Sequence, residues 1–441
     1  MEGSMRRVFT LALAALVAAG VLSGIPAFAD NHEPPRTGFE ESEGEEWTTH
    51  EGELEFLAVV TEMSPRAEMK VIGETKQGRP LHLVSLGAPS PVGAGKARKQ
   101  PTTLFVCTQH GNEPAGREAC LITLRDLAFS DDPEVVKQLK EQTILYVPTA
   151  NPDGREANSR GNSDGTDINR DHLNLETLET QAIAAVVRDW EPESVLDMHE
   201  YGPSLPVIYD DELLILWSRN LNVDQGIHDT AVELSDHLSA EAEENGYSAD
   251  EYGQYEVADQ DIHQSAGDQD EGIARNLNGL RHTLGILVES AVTADPRNGP
   301  GEVLSEAEVN LRRVNSQVVV IYSALRFMRE RGEESARLTQ GAMARKIEEG
   351  RTQGAPVYFG GADNDEPSED EIVDPPPCGY LLSKEQAKTV GKALRLHDIR
   401  TKGQKGRVFV TMAQRSEPVI PLLLDERGTR HSVEAEPLET C

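Results

Sequence analysis

The stretch Leu104-Phe-Val-Cys-Thr-Gln-His110-Gly-Asn-Glu113-Pro114 decides how this chain is read. Its short apolar run, bounded by polar residues, describes a buried strand from Thr103 to Thr108. A polar turn follows, and Pro114, whose fixed φ suits the first position of a helix, opens a helical pattern that runs to Phe129. Strands that feed helices in this way build α/β sheets, and ligands of such sheets gather beyond the carboxyl ends of the strands. His110 and Glu113 stand at that end.

The alternation continues outward. Leu54 to Met63 reads as a helix; Met69 to Gly73 and Leu81 to Leu86 read as strands joined by a turn around Gly78. Thr143 to Thr149 is a strand, Leu173 to Trp190 a helix, and Ser194 to Met198 a short buried strand. A long helical stretch then runs to about Asn245, followed by a polar loop from Gly246 to Asp270 and a strand from Leu284 to Val288. The expected fold is a three-layer α/β/α sandwich with a mixed, largely parallel sheet. Ser305-Glu-Ala-Glu308 is a capping box that opens a helix to Arg329. Beyond the acidic, proline-containing linker Asp363 to Asp374, a small C-terminal α+β region is expected. It has a helix over Ser383 to Leu396 and strands near Arg407 to Met412 and Val419 to Leu424. The expected boundaries are a signal peptide at 1–29, a disordered acidic leader at 30–50 and a catalytic domain at 51–335. A helix and linker at 336–377 then lead to a small module or extension at 378–441.

Composition narrows the function. The 441 residues include 76 acidic and 42 basic side chains, a formal net charge of -34. Such a chain repels nucleic acid and anionic lipid, which excludes both as partners. Arg6 and Arg7 precede the apolar run Val8 to Ile25, and Ala27-Phe-Ala29 follows in the pattern of a cleavage site. Export by the general or the twin-arginine route is expected, with no membrane association once the signal is removed; an uncleaved anchor is the alternative. An oxidising compartment makes the four cysteines disulfide candidates. A bridge between Cys378 and Cys441 is expected, contributing about 4 kcal/mol by loop-closure arguments, whereas Cys107 and Cys120 are compatible with buried free thiols.

A hydrolytic zinc site needs three protein ligands and one open position. The spacing His-x-x-Glu occurs three times, at His50/Glu53, His110/Glu113 and His431/Glu434. The first borders the acidic leader and the last lies in a charged tail; only the middle one follows an apolar strand and precedes a helix. A second strand end supplies His199, in Val195-Leu-Asp-Met-His-Glu200, and Asp167 is a candidate carboxylate to orient a histidine ligand.

Four separated features in order then resemble the zinc metallocarboxypeptidases typified by carboxypeptidase A. They are His110-Gly-Asn-Glu113, Asn151-Pro-Asp-Gly154, the run Arg160 to Arg170 ending Asp-Ile-Asn-Arg, and His199 with Glu289 beyond it. The resemblance covers about Glu53 to Arg329. It implies one zinc ion per chain held by His110, Glu113 and His199. It also implies Asn169 and Arg170 as the grip on a substrate's terminal carboxylate, Arg160 as oxyanion stabiliser and Glu289 as general base. Where the family places a mobile tyrosine, this chain presents His263, with Tyr252 and Tyr255 nearby as substitutes. Asp268, Asp270 and Glu271 fall where a pocket for the terminal side chain can form and hint at basic residues. The implied activity is monomeric, secreted peptide hydrolysis on substrates with a free C-terminal carboxylate. A zinc amidase or deacylase acting on cell-wall peptides or acylated amino acids is the alternative, and a non-catalytic peptide-binding protein the remote one.

Overall fold

The computed structural model describes residues 33–202, 211–252, 254–258, 261–265, 269–293 and 304–441. The signal sequence and Asp268 lie outside them. Of the described chain, Pro35–Cys441 forms one compact unit.

Ten strands precede the last third of the chain: β1 (Ala67–Glu74), β2 (Pro80–Leu86), β3 (Thr102–Cys107), β4 (Thr143–Val147), β5 (Ser194–Tyr201), β6 (Leu213–Trp217), β7 (Ala249–Glu251), β8 (Gln254–Ala258), β9 (Asp261–Ser265) and β10 (Leu284–Ala291). Eight of them form one sheet in the order β1-β2-β4-β3-β5-β10-β6-β7, and β8 and β9 pair separately. The neighbours β4, β3, β5 and β10 run parallel, while β1, β2 and β6 join antiparallel. The sheet is therefore mixed and largely parallel.

Both faces are covered, which is why the central strands are buried along nearly their whole length. Phe105 and Cys107 of β3 pack with the helices Ala115–Phe129 and Glu306–Thr352, while Leu104 and Val106 face a second cluster containing Ile183, Val187 and Trp190 of the helix Leu178–Trp190. Side chains that alternate along a strand thus enter two separate cores. At roughly 25 cal/mol per Å² of buried apolar area, those two cores are the dominant stabilising term of the fold.

Several expectations change. The stretch 30–50 is not a disordered leader where it is described. Thr37 caps the turn Gly38–Glu41, Phe39 stacks on Trp47 at 5.0 Å, and Thr48 Oγ1 donates to the buried Glu118 at 2.8 Å. Two aromatic anchors outweigh the acidic composition. The helix expected from Leu173 begins only at Leu178, because the Asp171 carboxylate accepts from the Glu176 and Thr177 amides and holds an irregular turn before it. The stretch expected to be helical as far as Asn245 contains β6, followed by the helix Gln225–Glu244. The helix capped by Ser305 continues past Arg329 to Thr352, beyond the expected domain end at 335.

The C-terminal region adds β11 (Val357–Tyr358) paired with β12 (Ile372–Val373), then β13 (Gly379–Leu382), β14 (Lys402–Gln404), β15 (Arg407–Thr411) and β16 (Glu436–Leu438), which form a four-stranded sheet. Val419–Leu424, expected as a strand, is a helix with all six residues buried; a short apolar run does not distinguish the two. Asp363, expected in a loose linker, accepts hydrogen bonds from Trp217 Nε1 at 2.6 Å and Arg219 Nη1 at 2.9 Å. Tyr380, Val410 and Leu423 share the larger core, so this region is an extension of the main body. Cys378 and Cys441 are bridged as expected, and Cys107 and Cys120 are also paired.

Candidate metal centre and active site

β3 and β5 lie side by side, and their register places Cys107 opposite Met198. The residues that follow Cys107 therefore meet the end of β5. His110 Nδ1 lies 2.9 Å from Glu113 Oε1, and His199 Nδ1 lies 2.8 Å from Glu113 Oε2 and 3.0 Å from His110 Nδ1. Among the described residues this trio is the one cluster with metal-ligand geometry, and all three side chains are buried. The other two His-x-x-Glu spacings are ordinary structure. Glu53 accepts from Thr149 Oγ1 at 2.8 Å inside the core, and His431 stands 3.9 Å from Glu434 at the surface.

The remaining ring nitrogens test whether a metal fits. His110 Nε2 meets Asp167 Oδ1 at 3.0 Å, and His199 Nε2 meets Asp197 Oδ2 at 2.8 Å. Each imidazole is thus oriented by a carboxylate on its far side, as histidine ligands of zinc commonly are. Two neutral nitrogens and one carboxylate oxygen are also the donor set that suits zinc. Hydrogen bonds from both histidines hold the Glu113 carboxyl down at about 2 although burial works against its charge. Three carboxylates around two imidazoles leave a negative excess for a divalent cation to neutralise. The residues fit the ion.

The loop that carries the first two ligands is braced by the Asn151-Pro-Asp-Gly154 turn. Asn151 Nδ2 donates to the Gln109 carbonyl at 3.0 Å, and Arg155 Nη1 to the Gly111 carbonyl at 2.9 Å. The approach is so close that a Cβ on Gly111 would lie 1.9 Å from the Gly154 carbonyl carbon. Only glycine fits there. On the other side, Glu200 accepts from the Ala115 amide at 2.9 Å, an anion at a helix N-terminus, and is paired with Arg313.

A cavity of about 410 Å³ is lined by His110 and Glu113 of the trio. Arg160, Asn169, Arg170 and Glu289 line it, so residues spread over 180 positions share one cleft. Glu289 is opposite His199 across the parallel β5/β10 pair. Burial pushes its carboxyl up to about 7, against the opposing pull of His199. Arg160 is half-exposed and lies along Asp167 at 2.9 Å, with Nη1 3.4 Å from Glu113. Arg170 is half-exposed toward the cleft and donates to the Asn169 carbonyl. Asn169 is engaged at both ends: its Nδ2 is 3.0 Å from Asp197 and 2.9 Å from His199, and its Oδ1 accepts from the Ala274 amide at 2.8 Å.

Three residues of the site were not anticipated, or only in part. Asp197 stands two positions before His199 on the same strand, so both side chains project to one face; that spacing was the available signal. Arg275 and Tyr252 line the cleft, the former buried at 2% exposure. Nothing in the local sequence marks Arg275. The side chains of His263 and Tyr255, on β9 and β8, lie outside the described residues. Asp270 is gripped by Arg430 and lies 4.0 Å from Arg170, Glu271 is buried, and neither is among the described residues that line the cleft.

The profile of the zinc carboxypeptidase family matches residues 54–283. Carboxypeptidase 2 of Trichophyton equinum is 32% identical over 189 residues, which is 41% of this chain and 35% of that protein. Carboxypeptidase 2 of Trichophyton rubrum is 29% identical over 225 residues, 49% of this chain and 42% of that protein. The match thus spans less than half the length of these curated relatives. A solved structure from Shewanella denitrificans, provisionally named carboxypeptidase A, superposes with a TM-score of 0.50 at 17% identity over 64% of this chain and 70% of that one, a likeness of fold.

Proposed function

Because this chain belongs to the zinc carboxypeptidase family, we propose that it is a secreted zinc metallocarboxypeptidase releasing C-terminal residues from peptides. The observation that supports this most is the single cleft lined by His110 and Glu113 of the metal-ligand trio together with Arg160, Arg170 and the Glu289 carboxylate. His110, Glu113 and His199 would hold one zinc ion, which when bound would supply Lewis-acid chemistry toward the scissile carbonyl and the attacking water.

The protein's own groups do the rest. Arg170 grips the terminal carboxylate of the peptide, a task suited to a planar, permanently charged fork, and Asn169 positions it through its backbone. Glu289 takes a proton from the attacking water and hands it to the leaving amine; a carboxyl poised near 7 serves both steps. Arg160, on the cleft wall beside Glu113, stabilises the oxyanion that forms as the carbonyl becomes tetrahedral. Tyr252 covers the bound end of the substrate. Asp167 and Asp197 keep the ligand imidazoles aimed. Two disulfides accord with export into an oxidising compartment.

The test is hydrolysis of peptides that differ in their last residue by the parent chain and by Glu289→Gln. The parent should release free amino acids, and the variant should keep its zinc while losing turnover by three orders of magnitude or more, on the order of a lost general base and its electrostatic support. Unchanged turnover in the variant would refute the mechanism. A parent that cleaves only acylated amino acids would favour the deacylase reading.

A further inference from the structure

Side chains of the C-terminal extension converge on one turn of the cleft. They land on the stretch 170–174, which leads out of the short turn Ile168–Arg170 that carries the cleft-lining Asn169 and Arg170. Arg430 Nη1 donates to the Arg170 carbonyl at 3.2 Å, His397 Nε2 to the Leu173 carbonyl at 2.7 Å and Ser432 Oγ to Asn174 Oδ1 at 2.7 Å. The Gly272 carbonyl closes the same seam by accepting from the His172 amide at 3.0 Å. The disulfide Cys378–Cys441 closes the covalent loop that holds all three donors.

The contact at Arg430 is tight. Its Nε and Nη2 both donate to the Asp270 carboxylate, one to each oxygen, as a fork meeting a fork. Asp270 is itself fixed: its Oδ1 accepts from the Gly272 amide at 2.8 Å, and its side chain keeps only 16% exposure. A Cβ at Gly272 would lie 2.5 Å from the Arg170 carbonyl oxygen and 2.7 Å from Arg430 Nε. No further atom fits between the loop, the turn and the guanidinium, and packing of that density holds Arg430 in place.

Arg170 stands on the other side of the same carboxylate. Its Nε is 4.0 Å from Asp270 Oδ2, beyond hydrogen-bonding distance, and its Nη1 donates to the Asn169 carbonyl at 2.8 Å. One carboxylate thus lies between two guanidiniums and is hydrogen-bonded to only one of them. A charge-assisted hydrogen bond needs about 2.7–2.9 Å, so Arg170 has roughly 1 Å to travel to make its own. A long, half-exposed side chain makes that move readily once Asp270 Oδ2 is released. Nitrogens spent on Asp270 are then lost to an incoming carboxylate, because the donors of a guanidinium are fixed in one planar fork.

Resting on the role proposed above for Arg170, we infer that Arg430 is a positioning residue for substrate binding: by holding both oxygens of Asp270 it keeps that carboxylate off Arg170 and leaves the Arg170 fork to the peptide's terminal carboxylate. Arg430 is not among the described residues that line the cleft, so the C-terminal extension contributes to substrate affinity through Asp270 and Arg170. Removing Arg430 turns Asp270 into an internal competitor for the terminal carboxylate. Removing the Asp270 charge as well takes the competitor away.

The experiment compares the whole zinc-loaded chain with Arg430→Met, Arg430→Lys, the double variant Arg430→Met/Asp270→Asn, and Arg170→Met. KM and kcat are read on the peptide the parent cleaves best, and calorimetry reads the affinity of the N-acetylated form of that peptide's last residue. Arg430→Met should raise KM and weaken the acetylated residue about three- to tenfold, with kcat within about twofold of the parent. Arg430→Lys, which keeps the charge without the fork, should fall between the two. The double variant should recover most of the lost affinity, a non-additive result that damage to the fold does not produce. Unchanged KM and affinity in Arg430→Met, beside a rise in KM in Arg170→Met, overturn the inference and leave the proposed function standing. No effect of Arg170→Met on either quantity removes the role of Arg170 itself, and the inference with it. A double variant no better than Arg430→Met assigns Arg430 a structural role and overturns the inference. If Arg430→Met fails to fold, Arg430→Lys carries the test: a rise in KM of at least about twofold is expected, and an unchanged KM overturns the inference.

Discussion

Replacing Gly111 by alanine adds one methyl group, and the structure says where it must go. An ideal Cβ at Gly111 falls 1.9 Å from the Gly154 carbonyl carbon and 2.2 Å from both the Gly154 oxygen and the Arg155 nitrogen. All three are backbone atoms, so no side chain can swing aside. The two turns must part by about 1.5 Å to reach an ordinary contact of 3.4 Å. They are also stitched together. Ala150 N donates to the Cys107 carbonyl, Asn151 N to the Thr108 carbonyl and Arg155 Nη1 to the Gly111 carbonyl, all within 3.1 Å. His110 precedes the new methyl and Glu113 follows it by two residues. Metal–ligand distances tolerate only about 0.2 Å, so even a fraction of that displacement removes one ligand from reach. We expect zinc affinity to fall by at least about a hundredfold, and the metal-free chain to lose about 1–3 kcal/mol to overpacking. The assay is zinc competition against a chelator of known affinity, with thermal melting of the metal-free chains alongside. Zinc affinity within about threefold of the parent, together with an unchanged Tm, would refute the reasoning.

Other outcomes follow from the same geometry. Asp197→Asn keeps the shape but weakens the support of His199, so zinc affinity should drop about 10–100-fold while the secondary structure seen by circular dichroism is retained; a chelator titration that superposes on the parent's would contradict it. Arg170→Met should raise KM for peptides with a free C-terminal carboxylate and have little effect on C-terminally amidated analogues, measured by steady-state kinetics on matched pairs. Glu417 is a buried carboxyl of the C-terminal extension whose pKa burial raises to about 7 from an ordinary 4.5. The folded chain therefore binds its proton more readily than the unfolded chain between those values, and stability falls as pH rises through that window. Glu417→Gln removes the penalty: it should match the parent near pH 4 and exceed it by up to about 3 kcal/mol at pH 8 in denaturant melts. A stability difference independent of pH would count against this assignment.

Much of the site was legible in the sequence because its signals are local. The His110 and Glu113 pair declares itself by standing between an apolar strand and a helix that begins after a proline, and the buried strand before His199 is equally plain. Elements whose identity depends on distant partners were not legible. β6, Leu213-Leu-Ile-Leu-Trp217, looks like part of a helix until β10 offers it an antiparallel edge. Val419–Leu424 looks like a strand until burial of all six residues selects a helix. The acidic stretch near Trp47 looks disordered because composition does not reveal that Phe39 has a ring to stack against.

The sequence by itself determined the alternating strands and helices, the metal-ligand types and the order of the motifs, since backbone periodicity and turn chemistry act over a few residues. Tertiary structure alone decided what meets what. His110 and His199 are 89 positions apart and touch because β3 and β5 are neighbours; Glu289 joins them because β10 lies against β5. The same holds for Arg275 in the cleft wall. Strand order and helix packing place those groups together through burial of two shared cores. No local pattern in the chain encodes a neighbour a hundred residues away.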